Sequence, residues 1–282
     1  MSAKIIDGRA IAQTIANKLV KEVANLKVSG VQPKLVIISI NPDDRAQVYI
    51  RMKQKRAEEV GIITEFIDIA DKTPVEQQKF VTGLGKNDSI HGIILQLPLM
   101  GWYDAQDLLD CIPANKDVDG LTTICQDKLE LSKPGFVPAT PLAVIELLKQ
   151  SKVEVNSKTV CVIGRSNLVG KPLAILLRQA GANILVGHRQ TQDLSSLTRQ
   201  ADIVIAAAGS PGLIKAEMIK SDAVVIDVGI NEIDGKLKGD VDFESVKDKA
   251  SLISPVPGGV GPMTVVMLLS NVVESAKSST KL

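Results

Sequence analysis

Short apolar runs alternate with longer amphipathic segments along almost the whole chain, and nothing else in the sequence restricts the fold as much. Residues 34–40 read Lys-Leu-Val-Ile-Ile-Ser-Ile, 62–69 form a second run of strand length, and 92–97 a third that Pro98 stops. Between and before them, residues 11–26, 48–60 and 75–84 carry apolar side chains at helical spacing, with Gly61 placed to end the second of these. Strands with so little polar alternation are covered on both faces, which implies parallel strands joined by crossover helices. A helix at 139–149 follows Pro138, and then the pattern resumes. It predicts strands at 159–163, 183–186, 202–207, 223–228 and 252–254 and helices at 171–180 and 194–199. A last helix at 263–277 has Pro262 in its first turn. The expected protein is α/β with two domains. An N-terminal parallel-sheet α/β catalytic domain takes residues 1–145 and the returning C-terminal helix 263–282, and a C-terminal Rossmann-type dinucleotide-binding domain takes 146–262.

Composition narrows the partners. Lys and Arg total 33 against 32 Asp and Glu, so there is no net field to hold a polyanion, and nucleic acid is not an expected partner. Aromatic residues at 2% leave too few rings for a base-stacking surface. Two histidines, His91 and His188, cannot build a multi-histidine metal site, and neither is assigned a catalytic role. Cys111, Cys125 and Cys161 lack metal or redox spacing, and their odd number argues against a disulfide framework. No apolar run is long enough to span a bilayer and the first residues lack a signal core, so a cytoplasmic, membrane-free protein is expected.

The segment Val160-Cys-Val-Ile-Gly164-Arg165-Ser166-Asn-Leu-Val-Gly170-Lys-Pro172 runs from predicted strand through a glycine turn into predicted helix. Gly164 permits a tight turn, small Ser166 a close approach, and the helix start offers free N–H groups to a pyrophosphate. The spacing G-x-S-x-x-x-G departs from G-x-G-x-x-G, and a plain strand-to-helix turn is the competing reading. A site for NAD usually has an acid at the end of the next strand; here Gly187-His188-Arg189 stands there, 25 residues after Gly164 at its last position. Arg189 and Arg165 suit a 2′-phosphate, so NADP is predicted over NAD, against the alternative that Arg189 is a solvated loop cation.

In the first domain, Tyr49 and Lys53 stand four residues apart on one helix face, with Lys55 and Arg56 beside them. Neighbouring cations or partial burial lower a lysine's pKa and fit it to move protons. From this segment alone a solvated basic helix is the commoner outcome. Gln96 interrupts an apolar strand near the end where ligands of parallel sheets bind. In Asp117-Val-Asp119-Gly120, Leu121 occupies the next alternate position and rules out a calcium loop. That leaves a plain turn, or an Asp that holds the N–H groups of a planar heterocycle. Pro255 to Thr264, rich in Gly and Pro, is either a rigid connector or a loop against a flat ligand.

Taken together and in order, these segments resemble the bifunctional methylenetetrahydrofolate dehydrogenase/methenyltetrahydrofolate cyclohydrolase family. The resemblance rests on Tyr49…Lys53 with Lys55 and Gly61-Ile62, Gln96-Leu-Pro-Leu99, Lys116-Asp-Val-Asp-Gly120, Gly164-Arg-Ser166 with Gly170 and Pro172, Asp227-Val-Gly-Ile-Asn231, and Pro255 to Thr264. It implies a homodimer that uses NADP to oxidise methylenetetrahydrofolate and then hydrolyses the methenyl product to 10-formyltetrahydrofolate. By motif position, Lys53, Tyr49 and Gln96 look catalytic. Folate contacts would be Tyr49, Lys53, Leu95, Gln96, Leu97, Asp119, Pro257, Gly258, Gly259, Val260 and Gly261. Gly164, Arg165, Ser166, Arg189 and Ile230 look like cofactor contacts. The sequence departs from the family pattern at Asn41, where Gly is usual, at Ala46, where Ser is usual, and in Pro138-Ala-Thr-Pro-Leu-Ala143. The missing hydroxyl at Ala46 leaves a dehydrogenase with a weakened cyclohydrolase as one alternative; a non-catalytic NADP sensor is another.

Overall fold

The computed structural model describes residues 2–99 and 105–279. Along the chain the elements begin with β1 (Lys4–Ile5), α1 (Gly8–Val28), β2 (Lys34–Ser39), α2 (Asp44–Val60), β3 (Ile63–Asp68), α3 (Pro74–Gly85) and β4 (Gly92–Leu95). Next come α4 (Gln106–Leu109), α5 (Thr123–Glu130), α6 (Ala139–Gln150), β5 (Thr159–Ile163), α7 (Gly170–Gln179), β6 (Asn183–Gly187), α8 (Leu194–Arg199) and β7 (Ile203–Ala206). The remainder is β8 (Val224–Asp227), β9 (Asn231–Ile233), β10 (Lys236–Lys238), α9 (Phe243–Val246), β11 (Leu252–Ile253) and α10 (Val260–Ser279). The chain divides into two compact units, Thr14–Ala139 with Val265–Leu282, and Met1–Gln13 with Thr140–Thr264.

The first unit is built on a three-stranded parallel sheet in the order β3-β2-β4. Central β2 is buried from Leu35 to Ser39, as its apolar run requires, and Val36, Ile38 and Ile93 pack with Val81, Ile90 and Leu108 on one face. Helix α2 is started by Asp43, whose Oδ1 accepts from the Ala46 N–H at 2.7 Å, and stopped by Gly61 at φ 84°. Its buried stripe runs through Ala46, Ile50, Ala57 and Val60, and Lys53 sits on that stripe at the helical repeat between Ile50 and Ala57.

The second unit carries a six-stranded sheet in the order β1-β11-β8-β7-β5-β6, parallel throughout. β5 has β6 on one side and β7 on the other, so the strand order reverses at β5, the point at which such sheets open a crevice beyond their C-terminal ends. Cys161, Ile163, Val204, Ala206, Val225 and Ile253 form the core of one face.

The division differs from the expected one in two places. Residues 1–13 group with the second half of the chain instead of with 14–145, because Lys4 and Ile5 add an edge strand to β11 and flanking main-chain bonds (Ala3 N to Lys247 O, Ile6 N to Ile253 O) hold it. The break falls between Ala139 and Thr140 rather than after residue 145. The C-terminal segment returns to the first unit from Val265, and residues 280–282 of the expected 263–282 lie outside the described residues. Among the described residues no helix is long and apolar enough to cross a membrane.

Candidate active site

Lys53 is half-buried, and its Nζ donates to Gln96 Oε1 at 2.8 Å. Gln96 is held by its own backbone: its N–H donates to Ile38 O at 2.7 Å, which continues the sheet one residue past β4, and its Nε2 donates to Leu97 O at 3.0 Å. Adjacent strand residues face opposite ways. Leu95 accordingly turns into the apolar cluster with Val36 and Ile38, and only its main chain remains on the Gln96 side. Tyr49 lies one turn before Lys53, half-buried on the same helix.

Burial lowers the pKa of Lys53, and the Asp119 carboxylate partly offsets it. The cations expected to contribute do not: Lys55 is exposed, and Arg56 pairs with Glu59 at 2.8 Å. Asp119 moves the other way. Burial raises its pKa, Lys53 pulls it down, Asp117 pushes it up, and the Ala139 N–H donates to it and lowers it. Lys53 and Asp119 are thus each driven toward the neutral form by desolvation while each stabilises the other's charge.

The loop that presents Asp119 is fixed from the end of the chain. Gly120 has φ +66°, and a Cβ there would stand 2.8 Å from Val137 C and Pro138 N. Asn271 of α10 donates through Nδ2 to both Val118 O at 2.8 Å and Val137 O at 3.1 Å, and Ser275 donates to Asn115 O at 2.9 Å. These two side chains carry no signal that sequence inspection would single out. Nearby Lys116 is turned aside: its Nζ donates to Asn87 O at 2.7 Å. His91 is a buried core histidine whose Nδ1 accepts from the Lys34 N–H.

In the second unit, the C-terminal end of β5 opens on a cavity of about 280 Å³ lined by Gly164, Arg165, Ser166, His188, Arg189, Gln190, Ala207 and Ala208. Gly164 has φ +132°, and any Cβ there would collide with Ala207 O. Ser166 Oγ accepts from Val169 N at 3.2 Å and Ser166 O from Lys171 N at 3.0 Å, which closes the turn into α7. The turn at the end of β6 is tied by Thr191, whose Oγ1 accepts from His188 N at 2.9 Å. Two arginines and no carboxylate line this cavity. A glycine turn at the start of a helix, with two cations beside it, fits a dinucleotide. Ile230 is not among the lining residues; its Cδ1 lies 3.7 Å from the Cβ position of Gly261. The Pro257–Gly261 stretch closes on itself through Gly259 N to Pro255 O at 2.8 Å. Tyr49, Lys53, Leu95, Gln96, Leu97 and Asp119 therefore belong to one unit, and the cavity residues, Ile230 and 257–261 to the other.

Residues 6–119 match the catalytic domain of the tetrahydrofolate dehydrogenase/cyclohydrolase family, and residues 138–280 match its NAD(P)-binding domain. The chain belongs to this family. A bifunctional protein FolD of Exiguobacterium sibiricum is 45% identical over 276 residues, 98% of this chain and 100% of that protein. The crystal structure of the bifunctional FolD enzyme of Campylobacter jejuni aligns with TM-score 0.96 at 42% identity, covering 98% of this chain and 99% of that one. The Trypanosoma brucei FolD structure, complexed with NADP and an inhibitor, aligns with TM-score 0.94 at 38% identity over 100% of both chains.

The departures from the family pattern have local explanations. Asn41 has φ 46°, a left-handed conformation that Gly takes freely and Asn tolerates, so the turn is kept. Ala46 is buried and offers Asp43 only its main-chain N–H. The helix start survives the loss of a hydroxyl at that position.

Proposed function

We propose that this chain, as a homodimer, oxidises 5,10-methylenetetrahydrofolate with NADP and hydrolyses the resulting 5,10-methenyltetrahydrofolate to 10-formyltetrahydrofolate. The observation that carries the reading is Lys53, half-buried on the helix stripe, with its Nζ 2.8 Å from Gln96 Oε1 and its charge answered by Asp119. Family membership supports the paired activities.

Bound in the cavity at the end of β5, the dinucleotide supplies the two-electron acceptor for the methylene carbon. Gly164 and Ser166 would shape the turn around its phosphates, and Arg189 with Arg165 would pair with the 2′-phosphate that distinguishes NADP. The remaining chemistry is proton traffic. The methenyl bridge is cationic, and a charged lysine beside it would repel it; desolvation keeps Lys53 toward the neutral amine. As water adds to the methenyl carbon, Lys53 takes one of its protons. The second leaves as the carbonyl forms, and Lys53 returns one to N5 as the carbon–N5 bond breaks, so one proton is released per turnover. Gln96 holds Nζ in place, Tyr49 flanks it, and Asp119 accepts from the N–H donors of the pterin.

The test is a paired assay of NADP reduction and methenyl hydrolysis on the wild type and Lys53→Met. The variant is expected to lose hydrolysis and keep at least part of the dehydrogenase activity; hydrolysis at the wild-type rate would remove Lys53 from the mechanism. Ala46 favours a second reading, a dehydrogenase with feeble hydrolysis, and under that reading the wild type itself would accumulate the methenyl compound.

A further inference from the structure

Asp240 has no solvent exposure, and no signal in its neighbourhood of sequence marks it. Its carboxyl group gathers four N–H donors. Oδ2 accepts from Ala208 N at 2.6 Å and Gly209 N at 2.9 Å; Oδ1 accepts from Ser210 N at 2.8 Å and from Asn231 Nδ2 at 3.0 Å. Residues 208–210 form the loop after β7, and Ala207 and Ala208 are part of the cavity wall at the end of β5. Ala207 is pinned from its other side, its N–H donating to Ile163 O at 2.7 Å.

Asp240 is itself fixed by a second buried carboxyl group. Asp227 Oδ1 accepts from Asp240 N at 2.9 Å and Gly229 N at 3.0 Å, and Asp227 Oδ2 accepts from Val241 N at 2.9 Å. No side chain fits at residue 229, where a Cβ would collide with Asp240 Oδ1. Burying a carboxyl group is costly, and a loop could be closed by main-chain bonds alone. Here three successive main-chain donors turn inward to one side chain, which fixes the loop's path and leaves its opposite edge, at Ala207 and Ala208, facing the cavity.

We infer that Asp240 is a positioning residue for the dinucleotide site. By collecting the N–H groups of 208–210 it sets the wall made by Ala207 and Ala208, and through Asn231 it ties that wall to the turn bearing Ile230. The inference rests on reading the cavity as the dinucleotide site. It concerns how well that site is formed and assigns Asp240 no contact with the reacting atoms.

The test uses the full chain with Asp240→Asn, Asp240→Ala and Asn231→Ala. Direct titration with NADPH gives the Kd, steady-state assays give the KM for NADP, and methenyl hydrolysis serves as the readout of the other unit. All four donors need an acceptor, and an amide oxygen can serve two of them. Asp240→Ala is therefore expected to raise the NADPH Kd and the NADP KM about tenfold or more, and Asp240→Asn by less, each with hydrolysis within about twofold of wild type. Asn231→Ala, which removes the one donor outside the loop, should give a smaller rise of the same kind. If Asp240→Ala does not fold, Asp240→Asn and Asn231→Ala carry the same comparison. Unchanged Kd and KM in the folded variants, or an equal fall in both activities, overturns the inference. A wild-type chain that binds no NADPH overturns the reading of the cavity instead.

Discussion

Replacing Gln96 tests how the lysine is tuned. Gln96 Oε1 accepts from Lys53 Nζ at 2.8 Å in a nearly dry setting. A hydrogen bond to an ionised group is worth about 1.5–3 kcal/mol, and it favours the ammonium over the amine. Gln96→Leu removes that acceptor, and burial, which already lowers the pKa of Lys53, then acts with less opposition. The sign follows directly: a less stable ammonium loses its proton at lower pH. Hydrolysis that needs the neutral amine rises as pH climbs through the Lys53 pKa. Its rising limb should therefore move to lower pH by about one to two pH units in Gln96→Leu. Gln96→Glu places a carboxylate against Nζ and should move the same limb upward. The assay is the pH profile of kcat for methenyl hydrolysis, followed by the loss of methenyl absorbance with the uncatalysed rate subtracted at each pH. The position of the limb is independent of its height, so a general loss of activity does not mimic the effect. Limbs that stay in place, or that move the same way in both variants, would show that the group being titrated is not Lys53.

Three further outcomes are expected. Arg189→Ala should cut the preference for NADP over NAD in kcat/KM by about ten- to a hundredfold, the loss of one hydrogen bond to a charged group; an unchanged ratio would leave Arg189 a bystander. Asn271→Ala strips the donor from Val118 O and Val137 O, costing about 1–3 kcal/mol for each buried group left unpaired, and should lower the Tm and raise the KM for the methenyl substrate together. Asp227, raised by burial from the ordinary carboxyl value of 3.8 to about 7, binds its proton more tightly folded than unfolded, so its contribution to stability is fully present below 3.8 and is lost as pH rises through about 7. The amount is on the order of 4 kcal/mol, and denaturant unfolding of Asp227→Asn between those pH values should lack that slope.

The central strands were legible because they are covered on both faces. Residues 35–38 and 160–163 are apolar without alternation, and Gly61 ends its helix where expected, at φ 84°. Strand β1 was not, since two residues carry no period and its pairing with β11 joins positions some 248 apart. Lys53 was legible as a type but not as a buried group. Its charged neighbours suggested a solvated helix, although the spacing Ala46, Ile50, Lys53, Ala57, Val60 already placed it on the stripe facing inward. Gln96 could be noticed in its strand, yet its pairing with a lysine 43 residues away belongs to the fold and not to local sequence. Asn271 and Asp240 were invisible for one reason: each is a polar residue satisfied by main-chain groups of distant loops, and main-chain groups leave no mark on a sequence.

The edge strand near the start of the chain and the helix near its end set a condition on synthesis. Residues 34–95 hold every strand of the three-stranded sheet, but Asn271 and Ser275, which fasten the loop bearing Asp119, are made long after them. Lys4 and Ile5 are made well before Leu252 and Ile253 and must wait for them before they have a neighbour. Neither sheet system matures while the chain is half made, and dividing the gene at Ala139 would give two fragments that each lack a piece held by the other.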